Sequence, residues 1–389
     1  MKRLNRTLLP LLLLVSLTAC QNQTPIVSNS ESPIPDSNVI LINNLQIDTS
    51  GHFSDIQVNY LTSDDATDTT PYNGNLSKAD PIPVSISWDD KSPDKFAEVE
   101  ITPEGGETIV YQVNDSHLDF YNPIFNRRYT VSIQKGTIML KGTFTENNSV
   151  PGPRNLKVDG VENFRDIGGW GKFENGAYKT FIKQGMIYRS GRFNEDKAEP
   201  VNVTISEDGI KEINNHLKIK TEIDLRRNSN NEVGSLLDKS VLGDNVKYVQ
   251  LPMAYGGNNI LTFKGKLSGD SWEYDNPAEI KEFFKVLADE NNYPINFHCS
   301  IGKDRTGCLA YLVEGLLGFD QETMYRDYMF TNFANAGMCK ITDITDRYGD
   351  TLAKYENGTT INEKIYNYLY EEIGVAKEYL DSVIRILKA

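Results

Sequence analysis

The run Ile295-Asn296-Phe297-His298-Cys299-Ser300-Ile301-Gly302-Lys303-Asp304-Arg305-Thr306-Gly307 decides how this chain is read. Its first four residues form a short strand, and Cys308 to Leu317, closed by Gly318, is an apolar stretch of helical length. Between them lies a tight polar loop with two glycines. A loop that leads from a strand into a helix binds anions, because its amides and the first turn of the helix present unpaired N–H groups and partial positive charge. A phosphate fits such a place.

The spacing Gly302-x4-Gly307 is that of a nucleotide-binding loop, but Cys308-Leu309 follows where Lys-Ser/Thr would be needed to hold magnesium. ATP is therefore excluded. Instead the loop starts on a thiol and carries a guanidinium six positions on. Amides and a helix dipole that hold phosphate also stabilise a thiolate, which makes Cys299 a candidate nucleophile that needs no metal. Arg305 can grip two phosphate oxygens and hold the charge that develops as phosphorus moves to sulfur.

Cys-x5-Arg within His-Cys-x-x-Gly-Lys-Asp-Arg-Thr-Gly resembles the signature loop of cysteine-dependent protein tyrosine phosphatases. Asn163-Phe164-Arg165-Asp166-Ile167-Gly168-Gly169, Ile187-Tyr188-Arg189-Ser190-Gly191-Arg192 and Ile223-Asp224-Leu225-Arg226 resemble, in the same order, further motifs of the bacterial tyrosine/serine branch. The resemblance runs from about Leu156 to the C-terminus. It implies a phosphocysteine intermediate on Cys299, no cofactor and no metal. Ser300, Ile301, Gly302 and Lys303, with Arg305, would bind the substrate phosphate, and His298 and Thr306 would support the loop. No Trp-Pro-Asp tripeptide occurs, so Asp304 is the favoured general acid, with Asp270 and Asp275 as alternatives. The last two lie in a Gly-rich segment, Gly256 to Asn276, that is either a lid bearing Trp272 and Tyr274 or a plain surface loop. Arg165 and Asp166 either orient the signature loop or pair with each other. A loop lysine goes with phosphoinositide as well as phosphoprotein substrates in related enzymes, so a phosphorylated protein and a phospholipid headgroup are both candidate partners. Protein-tyrosine phosphatase, possibly dual-specificity, is the leading function. A phosphoinositide or inositol polyphosphate phosphatase is the alternative, and a non-catalytic surface binding protein a third.

Outward from the loop, Met186 to Tyr188, Thr221 to Leu225 and Val246 to Leu251 read as strands, and Glu207 to Leu217 and Pro277 to Glu290 as helices. This alternation predicts an α/β domain with a mostly parallel sheet over 154–389. Asn276 is placed to cap the Pro277 helix, whose Ile280, Phe283, Phe284 and Leu287 share a face. Ile361 to Tyr370 and Val375 to Leu387 close the chain as helices. Cys308 reads as a small core residue.

Pro151-Gly152-Pro153 marks a boundary. Before it, 39–149 reads as an all-β sandwich of short alternating runs, among them Asp55 to Tyr60, Pro83 to Trp88, Ala97 to Ile101, Thr108 to Val113 and Tyr129 to Ile133. With Trp88 and a tyrosine-corner position at Tyr129 it resembles a fibronectin type III module, with a ligand that the sequence does not specify. His52 and His117 read as surface or turn residues. Further upstream, 21–38 is a polar, proline-bearing tether, and 1–20 joins Lys2, Arg3 and Arg6 to a leucine-rich run ending Leu17-Thr18-Ala19-Cys20. That ending resembles a lipoprotein signal, which implies lipidation of Cys20, a bacterial membrane anchor and a protein facing outside the cytoplasm.

The 389 residues carry 40 Lys+Arg against 54 Asp+Glu, a formal charge of −14. This excludes a nucleic-acid binder, whose affinity rests on a basic face. Four cysteines without a Cys-x-x-Cys pair exclude a disulfide framework or a structural zinc site.

Overall fold

The computed structural model describes residues 39–42, 44–67, 80–89, 94–148, 150–194, 204–227, 236–254, 263–264, 273–274, 276–334 and 339–389. These belong to one compact unit, Ser37–Ala389. The proposed signal, tether and Cys20 lie outside the described residues.

Among the described residues the N-terminal part has eight strands: β1 (Val39–Ile42), β2 (Leu45–Asp48), β3 (Val84–Trp88), β4 (Ala97–Pro103), β5 (Ile109–Val113), β6 (His117–Phe120), β7 (Arg128–Lys135) and β8 (Ile138–Thr145). They form two antiparallel sheets, β1-β2-β3-β6 and β5-β4-β7-β8. Alternation does the work here. Leu45, Ile47, Ile86 and Trp88 of one sheet and Val99, Ile101, Val131 and Ile133 of the other belong to a single apolar cluster, the layout expected of a sandwich.

Asp55 to Tyr60 is not a strand. It is α1 (Asp55–Thr62), started by a capping box in which Ser54 Oγ accepts from Gln57 N–H and Gln57 Oε1 accepts from Ser54 N–H. The alternation of Ile56, Val58 and Tyr60 misleads, because the residues that bury are Gln57, Tyr60 and Leu61, at helical spacing. Nor is His52 at the surface. It lies between Phe53 and Phe125, its ring edge-on to both, and burial drives its pKa down to about 3. His117 is exposed and pairs with Asp119.

The second part is built on a six-stranded sheet, in the order β15-β14-β18-β13-β10-β9. Here β9 is Arg154–Asn155, β10 Arg165–Asp166, β13 Ile187–Ser190, β14 Thr221–Asp224, β15 Lys247–Gln250 and β18 Ile295–His298. The last four named run parallel to one another, while β9 and β10 add an antiparallel edge. Small pairs complete the strands: β11 (Gly171–Glu174) with β12 (Ala177–Thr180), and β16 (Phe263–Lys264) with β17 (Glu273–Tyr274).

The helices are α2 (Glu207–Lys211), α3 (Pro277–Leu287), α4 (Asp304–Leu316), α5 (Gln321–Phe330), α6 (Ile341–Ile344), α7 (Asp350–Ala353), α8 (Ile361–Asn367) and α9 (Lys377–Leu387). α3 packs on α9, and α4 touches both α5 and α8. All of α4 is buried, which is why Cys308 to Val313 of it is apolar on every side. Asn276 precedes α3 but does not cap it; it is left-handed, and its Oδ1 accepts from Ala254 N–H instead. Among the described residues, no helix is long and apolar enough to cross a membrane.

The two parts share a core. Phe53, Tyr60, Leu61, Phe125 and Val150 cluster with Trp170, Phe297, Tyr328 and Phe333. Polar ties join them as well: Arg154 donates to Asn122 O at 2.9 Å, and Gln184 Oε1 accepts from Phe125 N–H at 2.9 Å.

Candidate active site

β18 is flanked by β14 and β13, and its four residues are buried. The loop leaves the C-terminal ends of these parallel strands, where open α/β sheets place their sites. Two constraints shape it. Gly302 has φ +70°, and a Cβ there would lie 2.4 Å from Ser190 O, so neither the conformation nor the space admits a side chain. The second is the direct run into α4 at Asp304. Cys299 is 2% exposed, Arg305 3% and Asp304 8%. Ser300 is buried too. Thr306 is fully buried, and its Oγ1 has no hydrogen-bond partner among the described residues.

The loop carbonyls are tied outward one after another. His298 Nδ1 meets Cys299 O at 3.2 Å. Arg192 donates to Ser300 O through its backbone N–H at 3.0 Å and Nη1 at 3.3 Å. Asn163 Nδ2 donates to Ile301 O at 3.2 Å, and Arg189 Nη2 to Gly302 O at 2.9 Å. Lys303 O accepts from Gly307 N–H inside the helix, at 2.9 Å. In a trans peptide the N–H points opposite to the C=O of the same unit. Fixing the carbonyls of 299–302 from outside therefore turns the amides of 300–303 the other way, as a cradle for an anion requires.

The donors are themselves held in the dry interior. Asp327 of α5, which sequence reasoning missed, takes Arg165 Nε at 3.0 Å, Arg189 Nη1 at 2.5 Å and Trp170 Nε1 at 2.9 Å. Burial would raise its pKa, but Arg165 and Arg189 outweigh burial and hold it below the usual carboxylate range. Nearby Glu314, buried in α4, is pushed well above its ordinary value by burial and by the Asp327 charge. Arg165 and Asp166 do not pair with each other. They are neighbours on one strand, so their side chains point to opposite faces. Arg165 goes to Asp327, while Asp166 takes Arg154 at 2.7 Å and the amides of Gly168 and Gly185. Arg165 reaches the loop through Asn163 and Asp327; Asp166 is bonded to neither.

On the other flank, His298 Nε2 meets Glu222 Oε1 at 2.9 Å, and Glu222 Oε2 accepts from Ser240 Oγ. Asp224 is taken by Arg226 Nη2 at 2.6 Å and Tyr248 Oη at 2.9 Å. Burial works to raise its pKa, yet His298 and Arg226 carry it lower. Glu222, Asp224 and His298 bring ligand-type atoms within 4.8 Å of one another, but these atoms are engaged by the partners just named. Arg305 Nη1 donates to Leu225 O at 3.2 Å, which fixes the guanidinium against the end of β14.

Residues 156–389 match the model of the tyrosine phosphatase family. The chain belongs to that family. Several solved structures, these two among them, are similar to it in part. One is the core catalytic domain of the PP-IP phosphatase Siw14 from S. cerevisiae, in complex with citrate: 16% identical, covering 45% of this chain and 89% of that one, TM-score 0.26. The other is TpbA of P. aeruginosa: 16% identical, covering 48% of this chain and 88% of that one, TM-score 0.26.

In this cysteine-dependent phosphatase, Lys303 precedes α4 and its Nζ lies 3.4 Å from Asp343 Oδ2. Cys339 is buried in the same neighbourhood, and burial pushes its thiol up to about 12. Cys308 is wholly buried in α4. Asp270, Asp275 and Trp272 lie outside the described residues. Asp327, Glu222 and Asp343 gave no motif. The signal for Asp327 was the pair Arg326-Asp327 inside Met324 to Phe330, a charged dipeptide in an otherwise aromatic and apolar run.

Proposed function

We propose that this phosphatase is of the protein-tyrosine type and hydrolyses phosphate monoesters through a phosphocysteine on Cys299. The observation that carries the reading is the outward tethering of the carbonyls of 299–302, which turns consecutive amides inward in the loop that starts on Cys299 and runs into the helix bearing Arg305. Cys299 Sγ attacks phosphorus and the P–O ester bond breaks. Asp304, in the first turn of α4, gives its proton to the leaving oxygen. Arg305 and the amides of Ser300 to Lys303 hold the other phosphate oxygens. Water then attacks the phosphocysteine, Asp304 takes its proton back, and the S–P bond breaks to release inorganic phosphate.

The test is turnover of an aryl phosphate by the full chain. Cys299→Ser should abolish it, and turnover by that variant would discard the mechanism. Asp304→Asn should slow substrates with poor leaving groups far more than activated ones. Equal losses on both would move the acid role elsewhere, to Asp270 or Asp275.

We also propose that Cys20 carries a lipid anchor that holds the enzyme to a bacterial membrane, facing outside the cytoplasm, which Leu17-Thr18-Ala19-Cys20 supports. A Cys20→Ser chain that still fractionates with membranes would refute this. The eight-stranded part is proposed as a fibronectin type III-like module. In its support, Tyr129 Oη accepts from Ile124 N–H at 2.8 Å, the backward contact of a tyrosine corner. Loss of this bond in Tyr129→Phe should lower the melting temperature, and an unchanged one would remove that support.

A further inference from the structure

Lys303 stands apart from the other cations of the site. Arg165 and Arg189 are locked in the dry interior, and Arg305 is fixed to Leu225 O. The Lys303 side chain is 15% exposed, and its partner Asp343 25%. Asp343 is no drifting surface acid. It lies in the first turn of α6, and the oxygen that faces Lys303 also accepts from Lys340 N–H at 3.0 Å. The start of a helix therefore sets where this carboxylate stands. Burial acts to lower the Lys303 pKa, but the groups around it, Asp304 and Asp343 among them, raise it.

A single phosphate monoester is received by the loop amides and Arg305. A second phosphate on the same substrate needs another cation at the edge of the loop, and Lys303 is the loop residue that could supply it. With Asp343 against the ammonium, that edge is close to neutral, and an added phosphate meets a carboxylate within a few ångströms in a half-buried place. Like charges so placed are a recognised way of rejecting a wrong ligand.

We infer that Asp343 is a specificity-determining residue: by pairing with Lys303 at the edge of the phosphate loop, it favours substrates bearing one phosphate monoester over polyphosphorylated rings. This rests on the phosphatase reading above, and it narrows the breadth that a loop lysine implies.

The experiment compares kcat/KM of the full chain for a phosphotyrosine peptide and for inositol hexakisphosphate. Asp343→Asn keeps an oxygen for Lys340 N–H and removes the charge. It should raise the ratio of inositol to peptide turnover by about tenfold, and Lys303→Met in the same background should cancel the gain. An unchanged or lowered ratio overturns the inference, as does a gain that survives the loss of Lys303. Should Asp343→Asn fail to fold, Asp343→Ser keeps the cap and reads the same ratio. Failure of the phosphatase reading is separate: it shows as turnover by Cys299→Ser, whatever the ratio does.

Discussion

Two sets of ionic contacts bear on the loop between β18 and α4, and they differ in nearly every physical respect. Behind the loop, Asp327 faces Arg165 and Arg189 with all three side chains at 0–1% exposure. At its edge, Lys303 and Asp343 meet at 3.4 Å with both side chains partly exposed. The inner triad is a commitment, because removing Asp327 leaves two buried guanidinium groups without their counter-charge. The outer pair is cheap to break and therefore free to choose among ligands. Rigid support and substrate choice are thus given to different depths of one site.

The comparison can be broken most forcefully at its inner end. Asp327→Asn strands two guanidinium groups in the interior and should cost about 3–5 kcal/mol, with activity falling because Arg189 loses its hold while bonded to Gly302 O. Thermal denaturation alongside kcat would check it. A fully active variant of wild-type stability would erase the distinction.

A mid-sized effect is expected from pH. His52 has a folded pKa of about 3 against an ordinary value of 6.5. Below pH 6.5 the unfolded chain takes up a proton that the folded one refuses, so stability is whole above that pH and falls as pH drops towards 3. The slope is about 1.4 kcal/mol per pH unit at most, or roughly 2 kcal/mol between pH 7 and pH 5. His52→Leu should flatten this part of the stability curve. Chemical denaturation at the two pH values would show it, and parallel losses in both proteins would assign the acid sensitivity to other groups.

The smallest change belongs to the rim. Asp343→Asn should alter global stability by less than about 1 kcal/mol while moving the substrate ratio. A loss as large as that of Asp327→Asn would mean that the rim contact is as structural as the buried one.

What could be read in the sequence divides along the same line. The loop, the strand before it and the helix after it are contiguous, so spacing alone revealed them, as it did the apolar face of α3. Asp327 and Glu222 are distant from Arg165 and His298 along the chain, and no local period reports such meetings. Asp343 escaped for that reason too. α1 was missed differently: Ile56, Val58 and Tyr60 imitate a strand, and only Ser54 and Gln57, three residues apart, betray the helix start. His52 was misplaced because a polar residue gives no hint of two flanking phenylalanines that enclose it.

The way α1 meets α5 bears on any attempt to treat the catalytic half as a detachable module. Arg326 donates to Tyr60 O at 3.0 Å and Ser63 O at 2.6 Å, Tyr60 Oη returns a bond to Arg326 O, and the Tyr60 ring lies 5.5 Å from Phe333. Cutting at Pro153 would strip the neighbour of Asp327 of these partners and open Phe333 to solvent. An excision that respects the packing has to retain Gly51 to Ser63 as well, although that stretch is interleaved with the strands of the other half. Exchange of whole domains by recombination at Pro151-Gly152-Pro153 would then break this packing, and the two halves would have to diversify together.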